Sequence, residues 1–400
     1  MRKTKIALMA ASFALAGTAA VAVPATAFAA TSPQQAQTSH PAQAHLTLPA
    51  PTGPYPVGTV SLHLIDRSRP NPWTSSPSYR ELMVSVWYPA QDTRRYPRAP
   101  QMLPGAAGAP AAHGGPFPVV LYSPGTGEDR TWGTTLVQDL ASRGYVVVTV
   151  DPTYDASEVE FPGGRVVDSE LTAQLRQAQQ DGTLAALAKK IVDVRVADTR
   201  FVLNDLTTLA HGGHPSRAAL PAGLAQRLDL GRIGMFGVSA GGFTAAQAMA
   251  EDPRIKAGID LDGATDSPII PGSSHLLPVF TTGLRQPFMF MGDPQTSWRT
   301  VASWRSFWTR TPGWHLDLTL RGASGENAYK DALPLLPQVA AQTHLPASVV
   351  TKDLGTVQPG PAVSAEEAYV SAFFGHWLRG QDGHLLAGPS PRYPQIAFIR

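Results

Sequence analysis

The 400-residue sequence contains no cysteine. This absence excludes disulfide bonds, zinc sites with cysteine ligands and catalysis by a thiol nucleophile. Charged residues are also scarce, at 16% of the chain, whereas apolar residues make up 43%. The composition is typical of a globular protein whose stability comes from a buried core and not from cross-links.

The first 29 residues differ from the rest of the chain. They combine a basic start with an apolar run of small residues from 6 to 23, and they end in Ala27-Phe28-Ala29. This pattern is typical of a secretory signal peptide cleaved before Ala30, and it predicts a secreted protein. A membrane anchor is the alternative, but no second apolar run follows, so we expect no stable membrane span.

The export signal also accounts for the apparent positive charge of the chain. Residues 1–29 hold three basic residues (Arg2, Lys3 and Lys5) and no acidic one. The 32 basic residues of the full sequence therefore fall to 29 in the mature chain, against 30 acidic residues. A nearly neutral chain gives no reason to expect nucleic acid or an anionic membrane as a partner.

The mature chain divides into two parts. Residues 30–57 are rich in Pro, Ala, Gln, Ser and Thr without apolar periodicity, which predicts a flexible leader. Residues 58–400 alternate strand-like and helix-like patterns, which predicts one α/β domain with a mostly parallel sheet covered by helices on both faces. We expect this protein to be a monomer. The predicted strands are 59–65, 81–88, 117–123, 145–151, 232–238, 257–261, 287–291 and 315–320. The first two strands are predicted to form an antiparallel pair at the sheet edge. The predicted helices are 131–143, 240–251 and 363–379, together with a long helical region at 169–210.

The motif Gly237-Val238-Ser239-Ala240-Gly241 lies between a predicted strand and a predicted helix. In this context G-x-S-x-G indicates a nucleophile elbow, a strained turn that exposes the serine hydroxyl above the sheet. Gly237 and Gly241 lack side chains because chain segments crowd at such a turn. The motif therefore predicts an α/β-hydrolase fold with Ser239 as the nucleophile.

A second glycine-rich turn, Ser123-Pro124-Gly125-Thr126-Gly127, follows the predicted strand 117–123. A turn at this place can direct a backbone N–H towards the oxyanion of an acyl-transfer intermediate. We therefore predict an oxyanion hole made by the amides of Thr126 and Ala240. The turn is not a phosphate-binding loop, because no Gly-Lys-Ser/Thr sequence ends it.

Two aspartates follow the serine at the ends of successive predicted strands. Asp262 follows the strand 257–261, and Asp293 follows the strand 287–291. Both positions suit the acid that orients a catalytic base in this fold. Asp260 is a weaker candidate, because it precedes the strand end and alternation points it to the opposite face from Leu261.

Shorter motifs spread over residues 54–400 add a more specific signal. In their order they resemble the platelet-activating-factor acetylhydrolase family, and within it the exported actinobacterial lipases and esterases. The resemblance implies a Ser–Asp–His hydrolase of carboxylic esters, often of lipids, with no metal or organic cofactor. It assigns the nucleophile to Ser239 and the acid to Asp262. The motifs are Met83–Ala90, Val119 with Leu121–Ser123, Val150-Asp151, Glu160–Gly164, Arg195 with Asp198, Arg200-Phe201, Gly234–Gly242, Ala372–Phe374 and Trp377–Gly380.

The catalytic histidine of that family has no match in this chain. The family carries it in a Gly-Ala/Ser-x-His stretch after the last core strand, and here Gly325 or Glu326 occupies that position. Pro124, Pro152 and Val238 likewise replace other family histidines. The gap matters because a serine hydroxyl is a poor nucleophile until a neighbouring base accepts its proton.

Other groups are weak substitutes for this base. Four histidines are alternatives by position alone: His275, His315, His344 and His376. His211 and His214 resemble a metal pair, but no HExxH motif accompanies them, and we expect no metal site. Glu326 is a carboxylate, whose ordinary pKa is badly matched to a serine hydroxyl.

Three functional hypotheses follow. The first is a secreted serine esterase or lipase that acts on a small-molecule or lipid ester through an acyl-enzyme on Ser239. The second is a catalytically impaired relative that binds an acyl or lipid ligand in the same cleft. The third is an acyl transferase, which would use the same nucleophile.

Overall fold

The computed structural model describes residues 46–75, 77–98, 105–266 and 272–400. The predicted signal peptide lies outside the described residues, as does the leader up to residue 45. The remainder of the leader packs on the domain, since Thr52 donates two hydrogen bonds to Asp139 at 2.8 Å and the Thr47 amide donates to Gln338 at 3.0 Å.

A single large sheet forms the centre of the described part of the chain. Its strand order is β12-β11-β10-β9-β8-β4-β5-β2-β1-β3, and a separate hairpin pairs β6 with β7. The strands are β1 (Val57–Pro70), β2 (Tyr79–Pro89), β3 (Ala106–Ala107), β4 (Phe117–Ser123), β5 (Val146–Val150), β6 (Glu158–Phe161), β7 (Arg165–Asp168), β8 (Leu228–Val238), β9 (Ile255–Leu261), β10 (Phe288–Gly292), β11 (His315–Leu320) and β12 (Ile396–Phe398).

The middle of this sheet is parallel. The strands β5, β4, β8, β9, β10 and β11 pair in parallel, whereas β1, β2 and β12 join by antiparallel pairing. The carboxyl ends of the parallel strands consequently meet at one edge, where ligands bind in sheets of this kind. The antiparallel pair β1–β2 was predicted, although the two-residue strand β3 lies outside β1 at the sheet edge.

Helices cover both faces of the sheet, as predicted. They are α1 (Thr134–Ser142), α2 (Leu171–Gln180), α3 (Leu184–Ala210), α4 (Ala240–Glu251), α5 (Val279–Thr282), α6 (Ala302–Arg310), α7 (Ala332–Thr343), α8 (Ala347–Leu354) and α9 (Pro359–Arg379). One buried apolar cluster packs residues of α3, α4 and α6 on the sheet, and a second packs residues of α1, α7 and α9 on the other face. Burial on both faces explains the uninterrupted apolar sequence of strands such as β5.

The structure departs from the predicted elements in several places. The predicted helical region 169–210 is two helices, because Gly182, at a φ of 69°, ends α2 and lets the chain turn into α3. The hairpin β6–β7 was not predicted as strands; it turns through Gly163 and Gly164, both at positive φ. The four helices α5 to α8 were also not predicted, and α7 contains Pro337, which masks a helical pattern in the sequence.

Candidate active site

Ser239 lies at the sharp turn between β8 and α4. Its φ of 53° and ψ of −121° lie in a region that non-glycine residues rarely adopt. Two backbone hydrogen bonds hold this conformation: the Ser239 amide donates to the Leu261 carbonyl at 2.9 Å, and the Gly242 amide donates to the Ser239 carbonyl at 2.9 Å. The strained strand–turn–helix geometry is that of a nucleophile elbow.

The two glycines of the motif lie where side chains cannot fit. A Cβ atom on Gly237 would lie 2.3 Å from the Gly241 carbonyl carbon, and one on Gly241 would lie 1.9 Å from the Ser123 carbonyl oxygen. The elbow thus packs directly against the end of β4. This contact brings the predicted oxyanion turn beside the serine.

The oxyanion turn leaves one amide without an acceptor. The Gly125 amide donates to Glu128 Oε2 at 2.9 Å, and the Gly127 amide donates to Asp155 Oδ1 at 3.0 Å. Thr126 is an exposed residue, and its amide has no hydrogen-bond acceptor among the residues that the structure describes. Ala240 begins α4, and the first amides of a helix have no partner within the helix. The predicted donors Thr126 and Ala240 therefore both retain an N–H for an oxyanion.

Asp262 follows β9 and also has a strained backbone, with a φ of 56°. Its amide donates to the Met291 carbonyl at 2.8 Å, and its Oδ1 accepts the Asp293 amide at 2.9 Å. Burial, and then the neighbouring Asp293 carboxylate, raise the pKa of Asp262 to about 7. The negative charge of Glu326, on the loop after β11, adds to this rise in pKa.

The carboxylate of Asp293 accepts three backbone amides. Its Oδ1 accepts the amides of Gln295 and Thr296 at 2.8 Å, and its Oδ2 accepts the Gly325 amide at 2.8 Å. These bonds tie the loop after β11 to the end of β10. The remaining candidate, Asp260, is fully buried beneath the elbow, where its Oδ1 accepts the Gly263 amide at 2.8 Å.

The loop after β11 contains an ion cluster that the sequence analysis missed. Lys330 Nζ lies 2.6 Å from Glu326 Oε1 and 2.5 Å from Glu128 Oε1. Burial alone would lower the pKa of Lys330, but the two carboxylates raise it above its ordinary value, so this lysine stays protonated and is no base. Because Glu128 also accepts the Gly125 amide, the cluster joins this loop to the oxyanion turn.

Glu326 begins a short 3₁₀ helix, Glu326–Tyr329, at the position where the family resemblance requires histidine. No histidine ring in the described ranges hydrogen-bonds to Ser239, Asp262 or Asp293. The alternatives are occupied elsewhere or exposed: the rings of His315 and His376 bond to the carbonyls of Gly313 and Gln381, and His275 and His344 are exposed.

The described residues offer neither a metal site nor a membrane span. His211 Nδ1 bonds to the Thr207 carbonyl at 2.7 Å, and the described residues contain no group of three or more His, Asp or Glu side chains suited to a metal ion. None of the described helices combines the length and apolarity that crossing a bilayer requires.

Comparison with known proteins identifies the scaffold. The family model of platelet-activating factor acetylhydrolase, isoform II, matches residues 98–269. A ferulic acid esterase from Streptomyces cinnamoneus is 34% identical with a TM-score of 0.72, and the match covers 89% of this chain and 99% of that one. The chain belongs to the platelet-activating factor acetylhydrolase family. Its α/β-hydrolase fold is thereby confirmed.

Two further relatives match at lower sequence identity. A probable 1-alkyl-2-acetylglycerophosphocholine esterase of Arthroderma benhamiae is 27% identical over 88% of this chain and 93% of its own length. The platelet-activating factor acetylhydrolase of Canis lupus familiaris is 24% identical over 38% of this chain and 36% of its own. These similarities support the assignment of the chain to the carboxylic ester hydrolases.

Proposed function

We propose that this protein hydrolyses carboxylic esters through an acyl-enzyme on Ser239. The observation that carries the proposal is the strained backbone of Ser239 at the start of α4, with the free amides of Ala240 and Thr126 nearby. In the proposed reaction, Ser239 Oγ attacks the acyl carbon, its proton passes to water, and the oxyanion accepts hydrogen bonds from the two amides. The C–O bond of the ester then breaks, and the leaving alkoxide takes a proton from water and departs as the alcohol. A second water molecule hydrolyses the acyl-enzyme, which returns the proton to Ser239 Oγ and releases the carboxylic acid.

The acid in this proposal is Asp262. Its carboxylate accepts the Asp293 amide on one oxygen, and Asp293 in turn accepts the amide of Gly325, the residue before Glu326. Asp293, in contrast, already accepts three backbone amides and serves to hold that loop. Since no histidine of the described chain reaches this site, we expect slow native turnover, because the serine lacks a well-matched base.

The proposed substrates are lipid or other short-chain acyl esters. The relatives support this class, because their names describe an acetylglycerophosphocholine esterase and a ferulic acid esterase. We further propose that the mature protein is a secreted monomer that begins near Ala30, on the signal-peptide pattern of residues 1–29.

Turnover of p-nitrophenyl acetate by the purified mature chain tests the enzymatic proposal. We expect slow release of p-nitrophenol, with an acetyl group trapped on the peptide that contains Ser239 when the reaction is quenched in acid. Ser239→Ala should abolish both signals, whereas Ser324→Ala, a loop serine outside the elbow, should leave them unchanged. Hydrolysis that survives Ser239→Ala contradicts the acyl-enzyme.

A second candidate function is favoured by the carboxylate at position 326. A member of this family without a base for its serine would retain an ester-binding cleft and lose turnover. In that case a non-hydrolysable ester analogue binds the wild type in calorimetry, while p-nitrophenyl acetate is not turned over above the rate of Ser239→Ala.

A further inference from the structure

A buried arginine holds the oxyanion turn from below. Arg195, on α3, is 3% exposed. Its Nη2 donates to the Gly125 carbonyl at 2.8 Å, and its Nη1 donates to the Pro124 carbonyl and, at 3.3 Å, to Ser123 Oγ. One guanidinium therefore binds three successive residues of the turn.

Asp155 completes this arrangement from the other side. Its Oδ2 accepts Arg195 Nε at 2.7 Å, and its Oδ1 accepts the Gly127 amide at 3.0 Å. The Gly127 carbonyl in turn accepts the Ser157 amide at 2.9 Å. The ion pair thus fixes the turn both before and after Thr126.

The chemistry of the turn explains why it needs such an anchor. Two glycines flank Thr126, and Gly127 has a φ of 78°, so the chain alone leaves this segment conformationally free. A buried ion pair contributes little to stability unless its hydrogen-bonding capacity is filled. In this ion pair, most of the hydrogen-bonding groups bind backbone atoms of the oxyanion turn. Of the amides of residues 125 to 128, that of Thr126 alone has no acceptor among the described residues.

We propose that Arg195 and Asp155 are positioning residues that hold the Thr126 amide in place to stabilise the oxyanion. The proposal rests on the proposed esterase function, because only a reaction with an oxyanion uses a fixed amide in this way. Removal of an oxyanion donor costs about 10²- to 10³-fold in kcat, and a displacement of about 1 Å costs a similar factor. The arginine touches no substrate, so its loss should leave substrate binding nearly unchanged.

Arg80 provides a matched control for Arg195. It is fully buried and binds Asp198, one helical turn from Arg195 on α3, with Arg80 Nη2 2.6 Å from Asp198 Oδ2. It contacts the Thr153 carbonyl and none of the residues of the oxyanion turn. Arg80, on β2, is therefore an equally buried arginine that pairs with the same helix, and Arg80→Met removes it without touching that turn.

The experiment compares Arg195→Met, Asp155→Asn and Arg80→Met with the wild type on p-nitrophenyl acetate. We expect Arg195→Met to lower kcat by about 10²-fold with KM changed by less than about threefold, which marks loss of a transition-state interaction. Arg195→Lys should not rescue it, because an ammonium cannot reproduce the guanidinium fork. Asp155→Asn keeps the size of the side chain but replaces one of its two acceptor oxygens by an NH2 donor, so it loses the bond to either Arg195 Nε or the Gly127 amide. It therefore reports on the same anchor if Arg195→Met does not fold.

Backbone hydrogen exchange of residues 123–128 provides a readout that does not depend on catalysis. Exchange should accelerate at least tenfold in Arg195→Met and stay near wild type in Arg80→Met. An equal loss of kcat in Arg80→Met and Arg195→Met, or exchange unaltered in Arg195→Met, overturns the proposal. If the wild type shows no turnover that depends on Ser239, the proposed function fails, and the exchange rates alone then decide whether the arginine holds the turn.

Discussion

Replacing Glu326 by histidine should create the missing base, and replacing Gly325 should not. Gly325 has a φ of 68° and a ψ of −176°, a region that essentially only glycine adopts. A Cβ at Gly325 would meet no atom within 4 Å, so the obstacle is backbone strain and not space. Glu326 carries no such strain and starts the short 3₁₀ helix.

The structural costs of the two replacements differ in size. Histidine at 325 costs about 1–3 kcal/mol in backbone strain, and relieving that strain would move the loop. Histidine at 326 removes one of two carboxylates from Lys330, while Glu128 remains 2.5 Å from its Nζ. The Glu326 side chain is 41% exposed, so after solvent screening that ion pair contributes about 0–1 kcal/mol.

The catalytic gain in Glu326→His should far exceed this cost. General base catalysis by a placed imidazole contributes about 10²- to 10⁴-fold. We therefore expect kcat/KM for p-nitrophenyl acetate to rise at least about 100-fold in Glu326→His and little in Gly325→His. The gain should grow with pH through about 6.5, because only the neutral imidazole accepts a proton.

Two variants separate the imidazole from other effects of the change. Glu326→Gln removes the charge without adding a base, and Asn327→His adds an imidazole one residue further along. Neither should gain activity, and Ser239→Ala in the Glu326→His background should abolish the gain. The reasoning is refuted if Gly325→His gains as much as Glu326→His, or if Glu326→Gln alone reproduces the increase.

Three further predictions concern the scaffold around this site. In the active histidine variant, Asp262→Asn should lower kcat by at least about tenfold, whereas Asp293→Asn should mainly lower the melting temperature; equal effects on kcat would contradict this assignment. Burial raises the pKa of Asp317 to about 8 from an unfolded value of 3.8. Between about pH 4 and pH 8 the native state therefore holds a proton that the unfolded state has released, and the free energy of unfolding falls as the pH rises through this range. Asp317→Asn should therefore gain in melting temperature over the wild type from pH 5 to pH 9, and a pH-independent difference would refute the shift. Gly241→Ala should destabilise the protein by about 1–3 kcal/mol or more in denaturant unfolding, because its Cβ would lie 1.9 Å from a carbonyl oxygen, whereas Gly360→Ala, with open space, should be neutral or stabilising.

The sequence predicted those parts of the molecule that depend on local patterns. The strands β4 and β11 and the helix α4 were predicted with the bounds that the structure has. The elbow at Ser239 was predicted with its neighbours because steric crowding at such a turn demands glycine. Asp262 and Asp293 were both predicted at the ends of successive strands, and neighbouring parallel strands end at the same edge of the sheet.

The contacts between distant segments could not be predicted in this way. Glu128 and Lys330 are about 200 residues apart in the chain, and neither lies in a periodic pattern that marks it as buried. Arg195 appeared among the residues of the family resemblance, but the sequence does not reveal that its guanidinium reaches the turn after β4. Such side chains become informative only when tertiary structure fixes which backbone atoms they contact.

Backbone hydrogen bonds connect the ends of neighbouring strands in series. The Ser239 amide bonds to the end of β9, the Asp262 amide bonds to β10, and Asp293 receives the amide of Gly325. The strand ends therefore hold one another in place, and the loop 321–331 is attached to them at the carboxyl edge of the sheet. Natural or laboratory evolution can exchange the proton-accepting group within that loop while the nucleophile and its acid keep their coordinates. A library confined to Ser324, Glu326 and Asn327, which are neither fully buried nor at positive φ, samples changes of catalytic chemistry at little risk to the fold.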